Sequence, residues 1–499
     1  MNGPDVAIVG TGPNGLAAGV TLARAGLGVV LHEAADRLGG GLRTTSLFGD
    51  EVVHDICSAV HPMAAASRFF REFDLAVRGV ELIQPEIGYA HPLDGGRAAL
   101  AHRDLDVTCD LLGLDGKRWR RLMEPLVAHS TGIVDLALSG GRALPDDWAA
   151  PFLMAGRALA HGTALARGRF ATEEAGALLA GVAAHGIGRL PSLAAGVVSV
   201  LLGHLAHSTG WPVPRGGSVR IAEAMAADIT AHGGTFQLGR TITDLSELGG
   251  ARAVLLDTGV KGLLGIAGDR LPPGYVRRLA RYRYGPGAAK VDFLVSEAIP
   301  WAHPELGRAG TVHLGGNQAE VYRTESLTAR GVAVDEPFVL LVDPAAVDDT
   351  RARPGKRPVS AYAHVPHGDD RDPVDFVRAR IERFAPGFGD TVLEARGMSA
   401  RQFEAYNPNY VGGDIASGAA TLVQSILRPT AQLDPYRTPL PGVYLCSAAT
   451  PPGPGVHGMS GYLAALSVLR REFGITTPPR LGPDGNDAPL PGTAGSRCR

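Results

Sequence analysis

The sequence predicts an α/β fold that opens with a β-α-β unit. Three observations predict it. A short apolar run, Asp5-Val6-Ala7-Ile8-Val9, has the character of a buried parallel strand. The glycine-rich turn Gly10-Thr11-Gly12-Pro13-Asn14-Gly15 follows at once and leads into Leu16 to Ala25, where Leu16, Val20 and Ala23 share one helical face. A second apolar run, Gly28 to Leu31, then ends at an acidic residue, Glu33, followed by Ala34.

Each element has a physical reason. Gly10 permits a tight turn after the strand. Gly12 lets the backbone approach a pyrophosphate with no Cβ in the way, and Gly15 allows close helix–strand packing. Pro13 and Asn14 complete the turn. The first helical N–H groups and the helix dipole then face the phosphates. Gly26 sits where the helix should end. Glu33 stands 18 positions after Gly15, where a carboxylate accepts hydrogen bonds from ribose hydroxyls and repels a 2′-phosphate. A Gly-rich turn alone carries little weight; its place between strand and helix, with an acid at this distance, points to a dinucleotide.

The next segment selects the dinucleotide. Arg37-Leu38-Gly39-Gly40-Gly41-Leu42-Arg43-Thr44 resembles the R-x-G-G-x-x-x-[ST] extension of FAD-binding oxidoreductases with a glutathione-reductase-like fold. Gly39 and Gly40 turn backbone N–H groups toward phosphates, and Arg37 and Arg43 supply positive charge. The alternative is a flexible loop with two solvated arginines.

Further along, residues 66–210 read as mostly helical, and 211–265 return to α/β character. Strand-like runs lie in 281–364, including Ala289 to Leu294 and Phe338 to Val342. Residues 442–473 read strand, Gly/Pro loop, helix. The expected organisation is therefore an FAD-binding domain in three segments, 1–65, 211–265 and 425–475. A mixed α+β substrate domain takes 66–210 and 266–424, and a disordered Pro/Gly tail runs over 476–499.

Bulk properties exclude several classes. The net charge of -2 gives no pull toward nucleic acid. The cysteines Cys57, Cys109, Cys446 and Cys498 form no CxxC pair, which argues against a dithiol centre, a zinc ribbon or a disulfide framework. That usage suits a reducing, cytoplasmic setting. No secretory leader is expected before the first strand, no apolar run is long enough to span a bilayer, and no metal site is expected.

Three segments carry a family resemblance. They are His54-Asp55-Ile56-Cys57-Ser58-Ala59-Val60-His61-Pro62, Tyr406-Asn407-Pro408-Asn409-Tyr410-Val411-Gly412-Gly413-Asp414, and the stretch Gly442 to Ala465 with Pro451-Pro452-Gly453-Pro454-Gly455-Val456-His457-Gly458-Met459 at its centre. Together they resemble phytoene-desaturase-like flavoproteins, in particular the pyridine nucleotide-disulfide oxidoreductase domain-containing protein 2 subgroup. The resemblance runs from residue 5 to about 471. It implies FAD as cofactor, with backbone contacts from Ala448, Gly458 and Met459 in the closing motif and from Ile242 on an adenine-contacting strand. Two departures stand out: Gly41 where Arg is common, and Ser447 where Gly is common. The chain shows no second G-x-G-x-x-G, so a resident nicotinamide is not expected.

Candidate chemistry is sparse. His457, nearest the closing motif, reads either as acid or base or as a histidine tied to a loop carbonyl. His61 reads as a cleft residue or a turn residue. Lys290 lies in a strand-like alternation; it reaches the flavin through water, as in amine oxidases, or faces solvent. Tyr406 and Tyr410 read as a substrate-cavity wall or as packing. Leu193 to Leu205 is apolar, so it shapes a channel, rests on a membrane surface, or fills the core. His204 and His207 read as structural. The expected activity is dehydrogenation of a small, apolar or unsaturated substrate, with oxygen, a quinone or another carrier as electron acceptor. The rivals are an amine or porphyrinogen oxidase, a redox-neutral flavin isomerase, and a noncatalytic binding protein like Rab GDP-dissociation inhibitors.

Overall fold

The computed structural model describes residues 3–49, 51–140, 146–166 and 168–483. The chain opens with β1 (Val6–Val9), α1 (Pro13–Arg24) and β2 (Val29–His32). The hairpin strands β3 (Ile87–Leu93) and β4 (Arg97–His102) precede a helical stretch. That stretch contains α2 (Gly116–Ala128), α3 (Ala149–His161), α4 (Glu173–Ala184) and α5 (Leu193–Ala206). Then follow α6 (Val219–Ala231), β5 (Thr235–Gln237), β6 (Ala253–Leu256), β7 (Gly287–Val295), β8 (Ala309–Leu314), β9 (Val339–Val342), β10 (Arg357–Val365) and β11 (Val392–Met398). The last elements are α7 (Leu422–Leu427), β12 (Val443–Leu445) and α8 (Met459–Glu472).

Two sheets organise the molecule. The first has five strands in the order β12-β6-β1-β2-β5, and all of its pairings are parallel. Its central strand β1 is buried along its whole length, as a strand covered on both faces must be. The second has seven strands in the order β11-β7-β10-β9-β8-β3-β4, antiparallel except where β8 runs parallel to β3. The fold is thus mixed α/β with a Rossmann-type unit. Helix α8 packs on α1 so closely that a Cβ on Gly461 would lie 1.8 Å from the Asn14 carbonyl oxygen.

One expectation gains a detail and another needs correction. Residues 66–210 are mostly helical, and they also hold the hairpin of β3 and β4. The signal was Asp94-Gly95-Gly96 between apolar runs: both glycines adopt positive φ, 77° and 72°, as a tight hairpin turn requires. Part of the tail is also ordered. Leu481 is buried, the Leu481 carbonyl accepts from Arg78 at 2.9 Å, and the Gly482 carbonyl accepts from Arg24 at 2.9 Å. These contacts hold Leu481 and Gly482 against α1 and the Ala76–Arg78 turn, despite the segment's composition. The remainder of that expectation, 484–499, lies outside the described residues.

One buried ion pair ties the N-terminal segment to the second-sheet side. Arg351 and Asp55 are 1% and 2% exposed at their side chains and meet at 3.0 Å. Asp55 also accepts from Thr44 Oγ1 at 2.6 Å and from the Ser218 N–H at 2.9 Å, and Arg351 donates to the Val53 carbonyl at 2.9 Å. These bonds hold the two opposite charges together inside the protein, with the Arg351 Nε left without a partner. Among the described residues no helix is long and apolar enough to cross a membrane.

Candidate active site

A cavity of about 1340 Å³ runs from the β1–α1 turn to the second sheet. Its polar end is built from backbone. Gly10 has φ +102°, and a Cβ on Gly15 would sit 2.3 Å from the Gly10 carbonyl oxygen. A Cβ on Gly40 (φ +54°) would lie 2.9 Å from the Gly12 Cα, so the two glycine loops lie face to face. Gly12 caps α1 with no side-chain bond, Pro13 occupies the first turn, and Asn14 is buried with its Oδ1 unpartnered. Gly10, Gly12, Pro13, Asn14, Glu33, Ala34, Gly40, Gly41, Arg43, Ile242 and Ala448 all line the cavity.

Carboxylates at this end are already engaged. Glu33 accepts from the Thr11 N–H at 3.1 Å, Thr11 Oγ1 at 2.6 Å, the Ala35 N–H at 3.0 Å and Arg43 at 3.0 Å. Those four donors fill the acceptor positions of one carboxylate. Ribose binding through Glu33 therefore requires Thr11 Oγ1 or Arg43 to move aside. Asp257, at the end of β6, accepts from the Gly15 N–H at 2.9 Å. Burial, with Glu33 nearby, pushes its pKa up to about 7. Sequence reasoning missed Asp257, although Ala253-Val-Leu-Leu-Asp257-Thr-Gly259 shows a buried run ending in acid and glycine.

Positive charge also waits here. Arg43 carries an unpartnered buried Nε beside its Glu33 contact, and its guanidinium lies 5.8 Å from the Tyr406 ring centroid. Arg428 is buried, lines the cavity, and donates to the Ala448 carbonyl at 2.7 Å, while its Nε has no partner. It makes no ion pair among the described residues. No periodicity or motif marked Arg428; it precedes a proline in an irregular stretch.

Several predicted cofactor residues fall elsewhere. Arg37 donates to Thr45 Oγ1 at 2.9 Å and has a side chain 56% exposed, so it does not line the cavity. Leu42 is core. The Gly15 amide is held by Asp257 rather than left free. Gly458 packs against Phe69 and Ala17 at the start of α8, and the Met459 N–H donates to His457 Nδ1 at 3.0 Å; neither lines the cavity. Ile242 sits in an irregular stretch after β5, not on a strand.

His457 is corrected as well. Because Nδ1 accepts from Met459, Nε2–H donates to the Gly453 carbonyl at 3.1 Å. Both ring nitrogens are spent on the loop, burial pulls the pKa down to about 4, and the ring does not line the cavity. The residue fastens the closing loop to α8. His61 does line the cavity. Ser218 Oγ donates to the Ser58 carbonyl at 2.6 Å, so His61 Nε2–H donates to Ser218 Oγ at 2.8 Å. Burial lowers its pKa to about 4, so it is neutral at pH 7.

Lys290, Tyr406 and Tyr410 all line the cavity. Lys290 does not face solvent: it is buried, and its Nζ binds both carboxylate oxygens of Asp292, two residues along the same face of β7. Ser360 Oγ donates to Asp292 at 2.8 Å. Tyr410 stands against Gly41 and Cys57, and burial raises its phenol well above 10.

The far end is apolar. Helix α5 presents Ala194, Val197, Val198, Leu201 and Leu202 to the cavity, and Leu136, Leu138, Met154, Ile187 and Ile426 add to the wall. The other face of α5 is core, so the helix serves both purposes. His204 and His207 are structural: Nδ1 of each bonds a carbonyl, of Val200 at 2.9 Å and of His102 at 2.8 Å. His185 also lines the cavity, and its Nε2 lies 2.8 Å from His313 Nε2, one donating to the other. Burial pulls His185 to about 3 and His313 well below its usual value, so this is a neutral pair. Neither histidine was singled out from sequence, since a lone His just past an Ala-rich helix and a lone His within a strand carry no motif. Among the described residues no cluster fits a metal ion.

The two-sheet architecture with its N-terminal Rossmann-like unit is the fold shared by oxidoreductases of known structure. The family model described as an NAD(P)-binding Rossmann-like domain matches residues 8–73. The chain is similar to pyridine nucleotide-disulfide oxidoreductase domain-containing protein 2 of Rattus norvegicus, 26% identical over 314 residues. That alignment spans 54% of each protein, so it covers about half the length of this relative. The Mus musculus protein of the same name is 24% identical over 550 aligned positions, 93% of each chain. Among solved structures, a putrescine oxidase variant from a redesign of cofactor binding has a TM-score of 0.58 at 16% identity, covering 95% of this chain and 99% of that one. An oxidoreductase from Methanosarcina mazei (TM-score 0.54, 16% identity, 93% and 100% covered) and the cyclohexylamine oxidase of Brevibacterium oxydans (0.54, 16%, 94% and 98%) share the same fold.

Proposed function

We propose that the protein is an FAD-dependent oxidoreductase that removes hydride from a C–H bond of a small apolar or unsaturated substrate. The observation that carries this reading is the single cavity that joins a bare-glycine cradle to an apolar chamber. At about 1340 Å³ it exceeds the roughly 300–1,000 Å³ of an ordinary small-molecule pocket, leaving room for a dinucleotide and a substrate together.

The residues present fit FAD. The glycine cradle has space that any Cβ would fill, and Asn14 Oδ1, Arg43 Nε and Arg428 Nε are buried polar atoms without partners in that same cavity. Arg43 and Arg428 supply positive charge for its phosphates, and the Asn14 side chain offers an acceptor. When bound, FAD supplies a hydride acceptor, the hard part of the chemistry. The chain's own residues orient the substrate and exclude water. Helix α5 lines the chamber with aliphatic side chains, and the Lys290–Asp292 pair holds a fixed polar point on β7. The neutral His185–His313 pair gives the far wall a hydrogen-bonding group without charge.

A neutral substrate is favoured over an ammonium ion. The carboxylates lining the cavity are Glu33, Asp55 and Asp257, and each already holds partners within the protein. This is the reason for ranking dehydrogenation above amine oxidation, despite the shared fold with enzymes named as oxidases of putrescine and cyclohexylamine. The electron acceptor is proposed to be oxygen, a quinone or another small carrier.

The test is an anaerobic metabolite screen against the oxidised holoprotein, read as bleaching of the flavin bands. Bleaching by a neutral apolar compound supports the reading. Turnover without bleaching or oxygen use points to an isomerase, and bleaching by amines alone points to an amine oxidase; either sinks it.

A further inference from the structure

We propose that a second cleft, between α2 and α3, binds a phosphoryl-group anion. The cleft is about 350 Å³ and is lined by Arg118, Arg121, Arg157 and Arg169, with His161 and Phe170 among the remaining walls. No carboxylate lines it. Arg118 is paired with Asp115 at 2.6 Å, and Asp115 does not line the cleft. Arg121, Arg157 and Arg169 have no acidic partner among the described residues. A chain with a net charge of -2 thus concentrates three unbalanced guanidiniums in one small depression.

The site is built rather than scattered. The Arg157 guanidinium is half-buried and fixed by three backbone carbonyls: Nε to Leu122 at 2.8 Å, and its terminal nitrogens to Arg121 at 3.1 Å and Leu153 at 3.4 Å. Those carbonyls orient the group without cancelling its charge. His161 stacks on Phe170 with centroids 6.1 Å apart, and its Nδ1 is buried with no partner. Burial, then Arg169 and Arg157, hold His161 at about 4, so the ring is neutral and adds a donor or acceptor rather than a fourth unbalanced charge.

The donor set selects the ligand class. Each guanidinium is a planar fork of N–H donors that matches two oxygens of a phosphate, and several forks around one depression suit a tetrahedral anion better than a planar carboxylate. The Phe170 face accommodates the carbon portion of a phosphate ester. Helix α3 carries Arg157 into this cleft and Met154, one turn earlier, into the large cavity. The two sites are separate, because no residue lines both, and the glycine cradle adds bare backbone that this cleft lacks.

The probes are inorganic phosphate and pyrophosphate, titrated calorimetrically into the FAD-loaded full chain, and vesicles of phosphatidylglycerol in phosphatidylcholine, read by co-sedimentation. The proposal expects one saturable site for at least one probe, absent with chloride and with pure phosphatidylcholine. Arg121→Ala and Arg169→Ala should each weaken it about tenfold or more, as for loss of a charged hydrogen bond. Both side chains are exposed and unpaired, so the flavin spectrum and the melting temperature should not move. Saturation by a free phosphate identifies a phosphorylated metabolite as the source, and binding only to anionic vesicles identifies a lipid headgroup. Binding by no probe, or binding unchanged in the double variant, overturns the proposal.

Discussion

The two ends of the large cavity are built on opposite principles. The polar end is made of main chain, with glycines at positions where a Cβ would meet backbone at 2.3 to 2.9 Å. The apolar end is made of side chains, with α5 supplying a wall and a neutral histidine pair closing it. On the proposed reading the polar end meets a fixed anion with fixed dipoles, and its geometry leaves no room for an added atom. The apolar end needs only volume and dryness, which many residue combinations supply. The cradle is therefore rigidly specified, and the chamber is free to vary.

The largest expected effect is one that breaks both ends together. Arg351→Leu leaves Asp55 buried without its cation, which should cost about 3–5 kcal/mol in denaturant unfolding. Both cofactor content and chamber should suffer; a loss under 1 kcal/mol would show that the pair does not join the two halves. Gly15→Ala is narrower. Its methyl would overlap the Gly10 carbonyl, so we expect a loss of roughly 1–3 kcal/mol and of most bound flavin, with β7 to β11 intact by hydrogen exchange.

Asp257→Asn sharpens the comparison through pH. The folded pKa of Asp257 is raised from 3.8 to about 7, so its neutral form contributes stability that is full below about pH 4 and lost as pH rises through 7. The ionised form also repels phosphates. In the wild type, FAD affinity and stability should both fall as pH rises through 7, and Asp257→Asn should flatten both curves; parallel curves would remove Asp257 from the cradle. Leu201→Trp has the smallest expected effect on stability, because the added ring enters open cavity. It should keep the flavin and abolish substrate bleaching; unchanged bleaching would place the substrate elsewhere.

This contrast also explains what was legible in the sequence. Gly10, Gly12 and Gly40 could be read because backbone geometry restricts their residue type, and Glu33 and Arg43 because each stands at a recognisable distance from those glycines. Arg37 and Leu42 share that motif, yet the loop turns Arg37 outward to Thr45 and Leu42 into the core. Asp257, Arg428 and the His185–His313 pair reach the cavity from separate elements, so only tertiary packing unites them. His457 was conspicuous as the titratable group of the closing motif, and its two hydrogen bonds show a loop fastener. Lys290 showed strand alternation, but alternation does not say which face is buried until Asp292 and Ser360 are placed beside it.

The most direct test of the central claim is to denature the purified protein and identify the released cofactor by its absorption spectrum and mass. The account predicts FAD in about equimolar amount. A colourless protein that releases no FAD, and gains no flavin absorbance when FAD is added, would contradict it.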